Sequence, residues 1–350
     1  MRVTKKQINV AIIGYGYWGP NLVRNFNELE NARILYCCDL REERLQEVKN
    51  KYPSIEVTTD YNEVLKSKKV DAVIIATPVT SHFSLAKQAL LSGKHVWVEK
   101  PMTQNSREAK ELIDLAREKG RIIFVDHVFL YTEPVKTVKK IIDSRKLGKI
   151  YFFDSVRINL GLFQPDTNVL WDLAPHDISI MRYLLGKDPA YVSVFATSHV
   201  VSEIPDTAYL SFRFKDGISA HIHVSWLSPV KIRRSIIAGN NKMIVYDDLE
   251  SAESVKIYDR GITRRKKSVS TTMGYQYRIG DIHVPAIEVK EGLKSAAQHF
   301  ISCIQGNRTP LTNGTEGLKI VSILEAADIS AKENGKFVEI SYWTEKSSPR

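Results

Sequence analysis

The feature that most constrains the fold is an apolar segment that runs directly into a glycine-rich loop. Residues Gln7 to Ile13 have the composition of a buried strand, and the sequence GYGYWG follows, with glycines at positions 14, 16 and 19. A helix is predicted next, as far as Leu29. Glycines permit a tight turn and a close approach to a pyrophosphate, whose charge the N-terminus of a helix favours. This order of elements therefore predicts a dinucleotide site.

A second predicted strand strengthens this interpretation. Residues Ala32 to Cys38 form another apolar run that ends in Asp39. Asp39 lies about twenty residues beyond the last glycine, the spacing expected for a carboxylate that binds ribose hydroxyls. A carboxylate there repels a 2′-phosphate, so the sequence predicts NAD rather than NADP as the cofactor. Arg41, two residues further on, leaves NADP open.

Predicted strands and helices continue to alternate as far as Val125, which is the pattern of a doubly wound parallel sheet. Polar or charged residues follow several of the strands, among them Thr77, Lys100 and His127. Ligands of such sheets bind at the carboxyl ends of the strands, so these residues should converge on one crevice. The predicted cofactor-binding residues are Gly14, Gly16, Tyr17, Trp18, Gly19, Asp39, Thr77, Pro78, His82, Glu99 and Lys100.

The pattern changes at about Phe129. Runs with strand character between Tyr191 and Tyr246 lack intervening helices, which indicates an antiparallel sheet. Two helices, Val289 to Gln305 and Gly314 to Asn334, are predicted after it. We therefore expect an α/β protein of two domains. A Rossmann domain with a doubly wound parallel sheet covers residues 1–128, and a substrate-binding and oligomerisation domain with a large open, mainly antiparallel sheet covers residues 129–345. The C-terminal helices can pack back on the first domain.

The stretch Trp171 to Asp177, WDLAPHD, carries a candidate acid–base pair. In the opening turns of a helix, Asp172 and His176 share a face, because residues four apart lie one above the other. Pro175 is compatible only with the start of such a helix. The alternative is that Asp172 caps the helix and His176 is a core histidine. Pro175 argues against that cap, because it has no N–H to donate.

Composition excludes several classes of protein. The chain has 350 residues, 43% of them hydrophobic, which suffices for two ordinary cores. The apolar run at Ile8 is too short to span a bilayer, and no signal peptide is evident. Three cysteines without metal-ligand spacing indicate reduced thiols and a cytoplasmic protein. We expect neither a membrane nor a nucleic-acid partner.

The net charge of +10 is compatible with an anionic small molecule. The one dense basic cluster, Arg264 to Lys267, has no interleaved aromatic residues and is interpreted as a solvated loop or hairpin. His221 and His223 would share one face of a strand, but a metal would need a third ligand, so no metal is predicted.

Four motifs together resemble the Gfo/Idh/MocA oxidoreductase family. They are GYGYWG, ATPVTSH at Ala76 to His82, GKHVWVEKP at Gly93 to Pro101, and DLAPHD at Asp172 to Asp177. The resemblance covers nearly the whole chain in the right order. It implies a Rossmann domain followed by an α/β domain whose open sheet often forms an oligomer interface, hence a homo-oligomer. It also implies that Lys100, His176 and Asp172 are the catalytic residues.

The chemistry of alcohol oxidation assigns a role to each of these residues. A base must take the hydroxyl proton as hydride leaves the same carbon, and its pKa should lie near neutrality. Histidine meets that requirement without perturbation, so we assign His176 as the base. Lys100 could be the base only if its ammonium were destabilised. We assign Lys100 to orient the hydroxyl and stabilise the developing alkoxide, and Asp172 to orient the histidine or hold a second hydroxyl.

Longer segments are most similar to the nucleotide-sugar 3-dehydrogenase branch, specifically the UDP-N-acetylglucosamine 3-dehydrogenases. They include WGPNLVRNF at Trp18, RINLG at Arg157 and SWLSPVKIRR at Ser225. This similarity implies oxidation of the C3 hydroxyl of a nucleotide sugar, with an aminotransferase using the 3-keto product in the synthesis of surface polysaccharide. The candidate substrate-binding residues are His127, Arg157, Asn159, Lys231 and Arg233.

Each basic candidate could equally be a surface charge or part of an intersubunit salt bridge. Residues Met273 to Pro285 are interpreted as an arm over the site or against another subunit. Two other functions stay open at this point. The first is a dehydrogenase or reductase of a free polyol or aldose such as inositol, and the second is a non-catalytic dinucleotide-binding regulator.

Overall fold

The chain folds into two compact units in a computed structural model that describes residues 7–161, 163, 167–264 and 275–343. The first unit comprises Met1–Val128, Glu291–Ser322 and Tyr342–Arg350, and the second comprises Phe129–Lys290 and Ile323–Ser341. Most of the basic cluster (265–267) and the start of the predicted arm (273–274) lie outside the described residues. No helix within the described ranges is long and apolar enough to cross a membrane.

The first unit contains a six-stranded parallel sheet. Its strands are β1 (Ile8–Ile13), β2 (Ala32–Cys38), β3 (Glu56–Thr58), β4 (Ala72–Ile75), β5 (His95–Val98) and β6 (Ile123–Val125). They lie in the order β3-β2-β1-β4-β5-β6, and every neighbouring pair is parallel. The order reverses between β1 and β4, so a crevice opens there at the carboxyl edge of the sheet. The predicted Rossmann fold is confirmed.

Helices cover this sheet because its central strands β1 and β4 are apolar and buried on both faces. They are α1 (Gly19–Asn27), α2 (Glu42–Lys51), α3 (Tyr61–Lys66), α4 (Val79–Leu91), α5 (Ser106–Glu118) and α8 (Gly292–Gly306). Trp97 of β5 lies at the centre of the core, stacked on Phe124 at 4.1 Å and met edge-on by Phe26 and Phe300. Phe300 belongs to α8, so this late helix completes the core of the first unit.

The second unit contains a nine-stranded mixed sheet. Its strands are β7 (Ile150–Leu160), β8 (Tyr191–Thr197), β9 (Thr207–Arg213), β10 (Ser219–Ser225), β11 (Leu227–Gly239), β12 (Met243–Asp247), β13 (Val255–Arg264), β14 (Tyr275–His283) and β15 (Val338–Glu339). They lie in the order β14-β13-β12-β11-β7-β10-β9-β8-β15. β7 and β10 are parallel, and the other neighbouring pairs are antiparallel. The predicted mainly antiparallel sheet is confirmed.

Helices α6 (Glu133–Asp143) and α7 (Val169–Leu185) belong to this unit, as does the end of α9 (Gly314–Lys332). Alternate residues of β10, such as Ile222 and Val224, are buried on the face that carries α7. His221 and His223 lie on the opposite face, as predicted, and Tyr209 stacks on His223 at 4.3 Å. Among the described residues no group of three side chains could hold a metal ion.

Two strands at the edge of this sheet were not foreseen. β13 and β14 pair with each other and extend the sheet beyond β12. Most of the described part of Met273 to Pro285, interpreted as an arm over the site or against another subunit, lies within β14, and the contact of this arm with the site or a subunit stays a prediction. The alternation of buried and exposed residues along β14 is weak, because nearly all of its side chains are exposed. A strand that buries neither face lacks the periodic signal by which strands are recognised.

Candidate active site

The glycine loop has the geometry of a pyrophosphate cradle. Gly14 has a φ of +95°, and a Cβ at this position would lie 2.6 Å from the Ala76 carbonyl oxygen. A Cβ on Gly19 would lie 2.4 Å from the carbonyl oxygen of Gly14. Around Gly16 the space is open, since an added Cβ would meet only the Arg41 guanidinium at 3.8 Å. The loop thus exposes backbone beside the first turn of α1, as phosphate binding requires.

Asp39 lies at the end of β2 and is already hydrogen-bonded. Its carboxylate accepts bonds from the Tyr15 amide at 2.7 Å and from the amide and Nε of Arg41, both at 3.0 Å. Burial raises the pKa of Asp39, but the bonds from Arg41 and Tyr15 outweigh it and hold the pKa below its ordinary value. Asp39 is therefore ionised at neutral pH, the state in which it can accept bonds from ribose hydroxyls.

His82 connects two loops of the first unit, those that follow β4 and β5. Its buried ring places Nδ1 2.9 Å from the Pro101 carbonyl oxygen and Nε2 2.8 Å from that of Thr77. Carbonyl oxygens only accept hydrogen bonds, so both bonds form together only when the ring is doubly protonated. Burial opposes that charge and lowers the pKa of His82. In its neutral form, the ring donates to one of the two carbonyls.

Glu99 and Asp126 form a buried carboxyl pair next to Lys100. They follow the neighbouring strands β5 and β6, and the Trp18 indole also interacts with Asp126. Asp126 is 2% exposed, and Oε1 of the half-buried Glu99 has no accessible surface. In the described part of the chain, that oxygen and both Asp126 oxygens have no hydrogen-bond partner at normal distance and angle. Each carboxyl nevertheless affects the pKa of the other, so the two groups interact.

This pair prefers to hold a proton. Burial, and then the neighbouring Asp126 carboxyl, raises the pKa of Glu99 well above its ordinary value. Burial also raises the pKa of Asp126, to about 6. Two carboxylates in one buried site cannot both ionise cheaply. Asp126 was not among the residues predicted from the sequence, although its position directly after an apolar strand resembles that of Glu99.

In the second unit, α7 carries the predicted acid–base pair. The helix begins at Val169, and the Asn168 side chain caps it by accepting hydrogen bonds from the Leu170 and Trp171 amides. The alternative in which Asp172 is the cap is therefore wrong. The expectation that Pro175 marks the helix start is also wrong, because Pro175 is the seventh residue of the helix. Because the Asn168 side chain caps α7, the helix starts one turn earlier than it would with Asp172 as its cap.

Asp172 and His176 lie one turn apart on α7 and meet different aromatic side chains. The Trp226 indole Nε1 donates a hydrogen bond to Asp172 Oδ2 at 3.0 Å. The His176 ring makes an edge contact with the Phe129 ring, with the centroids 5.1 Å apart and the planes at 80°. The sequence analysis identified neither Trp226 nor Phe129 as a neighbour of the pair. An aromatic residue directly after a strand was the only signal for Trp226.

Two of the predicted substrate-binding arginines are paired across β7 and β11. Arg157 is buried, and its Nε donates to Asp177 Oδ2 at 2.5 Å. Arg233 faces Arg157 in the strand register and lies 3.3 Å from Asp248. The Phe129 ring lies near both guanidinium groups, at 4.5 Å from that of Arg157 and 5.9 Å from that of Arg233. Arg157 is thus committed to an internal ion pair.

The other predicted site residues are distributed as follows. Lys231 is exposed where the register of β11 against β7 shifts, and Asn159 is half-buried near the end of β7. His127 follows β6 in the first unit and is buried. In the cofactor loop, Tyr17 is 83% exposed and Trp18 is half-buried. The first unit therefore gathers the predicted cofactor residues at one sheet edge, and the second gathers the predicted pair and both arginines at one face.

Comparison with known proteins places both units in one family. Residues 8–127 match the profile of the GFO/IDH/MocA oxidoreductase family with an NAD-binding Rossmann fold, and residues 135–245 match the profile of the GFO/IDH/MocA C-terminal domain. The oxidoreductase YdgJ of Escherichia coli is 30% identical over 260 residues, which cover 70% of this chain and 73% of that protein.

Relatives with named substrates are about equally distant from the chain. The D-apiose dehydrogenase of Paraburkholderia graminis is 24% identical, covering 96% of this chain and 91% of that protein. The UDP-N-acetylglucosamine 3-dehydrogenase of Acidithiobacillus ferrooxidans is 23% identical, covering 90% of this chain and 94% of that protein. Similarity alone therefore does not single out one substrate.

Proposed function

The chain belongs to the Gfo/Idh/MocA oxidoreductase family, and from this premise we propose that it oxidises the C3 hydroxyl of a nucleotide-linked sugar to a 3-keto sugar. It is an NAD-dependent enzyme of the dehydrogenase class that acts on CH–OH groups. UDP-N-acetylglucosamine or a close relative is the proposed substrate. The Rossmann loop, the ionised Asp39 and the open space at Gly16 fit NAD.

The observation that carries the proposal is the pair on α7. A carboxylate and an imidazole stand one turn apart, and Asp172 is held by a hydrogen bond from outside the helix. In the first unit, β5 ends beside the predicted cofactor site in Glu99 and Lys100. NAD+, when bound, supplies the hydride acceptor. The chain then has to supply a base, a donor to the developing alkoxide, and a means of orienting the substrate.

We assign these roles to three residues. His176 takes the hydroxyl proton as base, and Lys100 donates a hydrogen bond to the same oxygen as negative charge develops there. Asp172 orients the imidazole or holds a second hydroxyl. The contacts of His176 and Lys100 with the substrate oxygen are both stronger in the transition state than in the ground state. Their loss should therefore lower kcat. This assignment requires His176 and Lys100 to reach one substrate oxygen.

The nucleotide part of the proposal rests on cationic side chains of the second unit. Arginine and lysine are suited to diphosphate oxygens. Because Arg157 is bound to Asp177, we assign the diphosphate to Lys231 and Arg233, and hydroxyl contacts to Asn159 and His127. The net charge of +10 would also favour a substrate with two negative charges.

A second candidate function is the oxidation of a free aldose or polyol. The similarity to D-apiose dehydrogenase supports it, because the identity and coverage are close to those of the nucleotide-sugar enzyme. In that case, Lys231 and Arg233 would have no diphosphate to bind. Their replacement by methionine would then leave KM unchanged, whereas it should raise KM for a nucleotide sugar.

The test is to incubate the purified full-length chain with NAD+ and UDP-N-acetylglucosamine, D-apiose or scyllo-inositol, and to follow NADH. If the equilibrium is unfavourable, a coupled aminotransferase converts the 3-keto product to a 3-amino sugar. Turnover of D-apiose or inositol without turnover of any UDP-sugar contradicts the nucleotide proposal. NAD binding without activity on any carbohydrate would instead support a non-catalytic regulator.

Variants of the proposed catalytic residues test the mechanism. Replacing His176 with asparagine should lower kcat about 10²- to 10⁴-fold, the usual contribution of a general base. His199, which is more than half exposed and pairs with Asp206, provides the matched control. Its replacement by asparagine should leave kcat within a factor of about two of the original. Full activity in His176→Asn would contradict the choice of base.

Assembly and cellular context follow from the same proposal. We propose a cytoplasmic homo-oligomer that associates through the sheet face opposite α7. That face carries exposed aromatic side chains, including Phe195 at 63% and Tyr209 at 39% exposure. Light scattering on the purified chain would measure the subunit number. An aminotransferase acting on the 3-keto sugar is the proposed downstream partner.

A further inference from the structure

Trp226 is held in place by contacts that do not involve α7. Trp226 directly follows β10 and is 2% exposed. Its amide donates to the Asp206 carbonyl at 2.8 Å, and its carbonyl accepts from the Gly161 amide at 3.0 Å. The backbone at Trp226 is thereby fixed to two other segments of the second unit, and it cannot shift independently of them.

The indole ring is confined as closely as the backbone. A Cβ on Gly161 would lie 2.8 Å from the indole Cδ1, so only glycine leaves room for the ring there. The Phe163 ring meets the indole edge-on, with centroids 5.2 Å apart. Packing therefore sets the direction of the Nε1–H bond, and that bond points at Asp172 Oδ2.

We propose that Trp226 is a positioning residue for the reaction, because its indole N–H fixes the Asp172 carboxylate on the surface of α7. The inference rests on the proposed function, in which Asp172 orients His176 or a substrate hydroxyl. A carboxylate has about four lone-pair directions, and without a fixed donor it rotates among them. With Oδ2 engaged by Trp226, the plane of the carboxylate is set, and Oδ1 has a defined direction.

A second tryptophan in the same unit offers a matched control. Trp171, the residue before Asp172, donates its Nε1–H to Asp328 Oδ2 of α9 at 2.8 Å. The two bonds join the same chemical groups at nearly the same length. Only the bond from Trp226 reaches a residue of the proposed catalytic set. A purely structural role would make the loss of either bond equivalent.

The experiment compares Trp226→Phe with Trp171→Phe in the full-length chain, using NAD+ and whichever compound of the panel above is turned over. A hydrogen bond to a charged group contributes about 1.5–3 kcal/mol, so Trp226→Phe should lower kcat about 10- to 100-fold. KM for NAD+ should not change, and the pH profile of kcat should shift. Trp171→Phe should retain kcat within about twofold and keep the pH profile.

Two further measurements keep the proposal open to refutation if Trp226→Phe packs poorly or no compound is turned over. Replacing Trp226 with 3-benzothienylalanine keeps the ring size but substitutes sulfur for the N–H group. The infrared carboxylate band that disappears in Asp172→Asn should shift in this variant and not in Trp171→Phe. An unshifted band overturns the proposal without any assay of activity.

The possible failures can be told apart. If Asp172→Asn loses activity but both Trp226 variants keep the original kcat and pH profile, the positioning role is wrong and the proposed function stands. If Asp172→Asn keeps full kcat, Asp172 is not catalytic, and both the mechanism and the positioning role are wrong. Equal losses in Trp171→Phe and Trp226→Phe would also overturn positioning, since they indicate a structural effect.

Discussion

Replacing Asp126 with asparagine should stabilise the first unit in a way that depends on pH. Burial raises the pKa of Asp126 from its ordinary value of 3.8 to about 6. The difference corresponds to about 3 kcal/mol, since one pKa unit is worth about 1.4 kcal/mol. This value is an upper limit for the cost of ionising Asp126 in the folded chain. The variant removes that ionisation, and it also relieves the repulsion that raises the pKa of Glu99.

The sign of the pH dependence follows from whether the folded or the unfolded chain loses the Asp126 proton first. Below about pH 4, the carboxyl is protonated in both the folded and unfolded chain, so it does not affect the pH dependence. Between about pH 4 and pH 6, the unfolded chain ionises first, and folding stability falls as pH rises. The Asp126→Asn variant does not lose folding stability in this pH range, because it has no carboxyl at this position. Its advantage should therefore be small near pH 4 and largest above about pH 6.

The assay is thermal unfolding of the two proteins, followed by circular dichroism between about pH 4 and pH 8. A unit of 150–250 residues changes its Tm by about 2–4 °C per kcal/mol, so the full difference would be about 6–12 °C. Asp114→Asn, on an exposed part of α5, is the control and should show no such trend. A difference in Tm that stays constant with pH, or one that favours Asp126 at high pH, would refute the reasoning.

Substitutions at the glycine loop, the buried ion pair and the cap of α7 test three other parts of the structure. Gly16→Ala should leave the Tm unchanged, because the space around Gly16 is open, but it should weaken NAD binding measured by calorimetry. Gly14→Ala should prevent normal folding. Asp177→Asn leaves the buried Arg157 without its counter-charge and should cost about 3–5 kcal/mol in urea unfolding. A loss below about 1 kcal/mol, the value of an exposed ion pair, would show that water reaches Arg157. Asn168→Ala removes the cap of α7 and should cost about 1 kcal/mol, with Asn168→Asp as the control that keeps it.

Much of the first unit was predictable from the sequence, because its signals are local. The strand β2 begins and ends at the predicted residues Ala32 and Cys38. Parallel strands buried on both faces appear as short apolar runs, and the residues that follow them lie at one edge of the sheet. Asp126 followed the same rule, but its pairing with Glu99 depends on which strands are neighbours.

The second unit was less predictable, because its interactions are remote in sequence. Whether Arg157 is available to bind a substrate depends on Asp177 of α7, which forms an ion pair with it. Trp226 reaches Asp172 across 54 positions of the chain. β14 lacks the buried face that would mark it as a strand and specify its register against β13. The joint geometry of His176 and Lys100 stays a prediction.

The two tryptophan–aspartate bonds at the start of α7 also have a mechanical consequence. Neighbouring residues of a helix project about 100° apart, so Trp171 and Asp172 leave the axis in different directions. Each is tied to a different partner, Asp328 of α9 and Trp226 after β10. Each bond opposes rotation of α7 about its axis, and either one remains when the other is lost. The direction in which the imidazole leaves the helix, one turn further along, is therefore set when the chain folds and should survive the loss of the Trp171 bond.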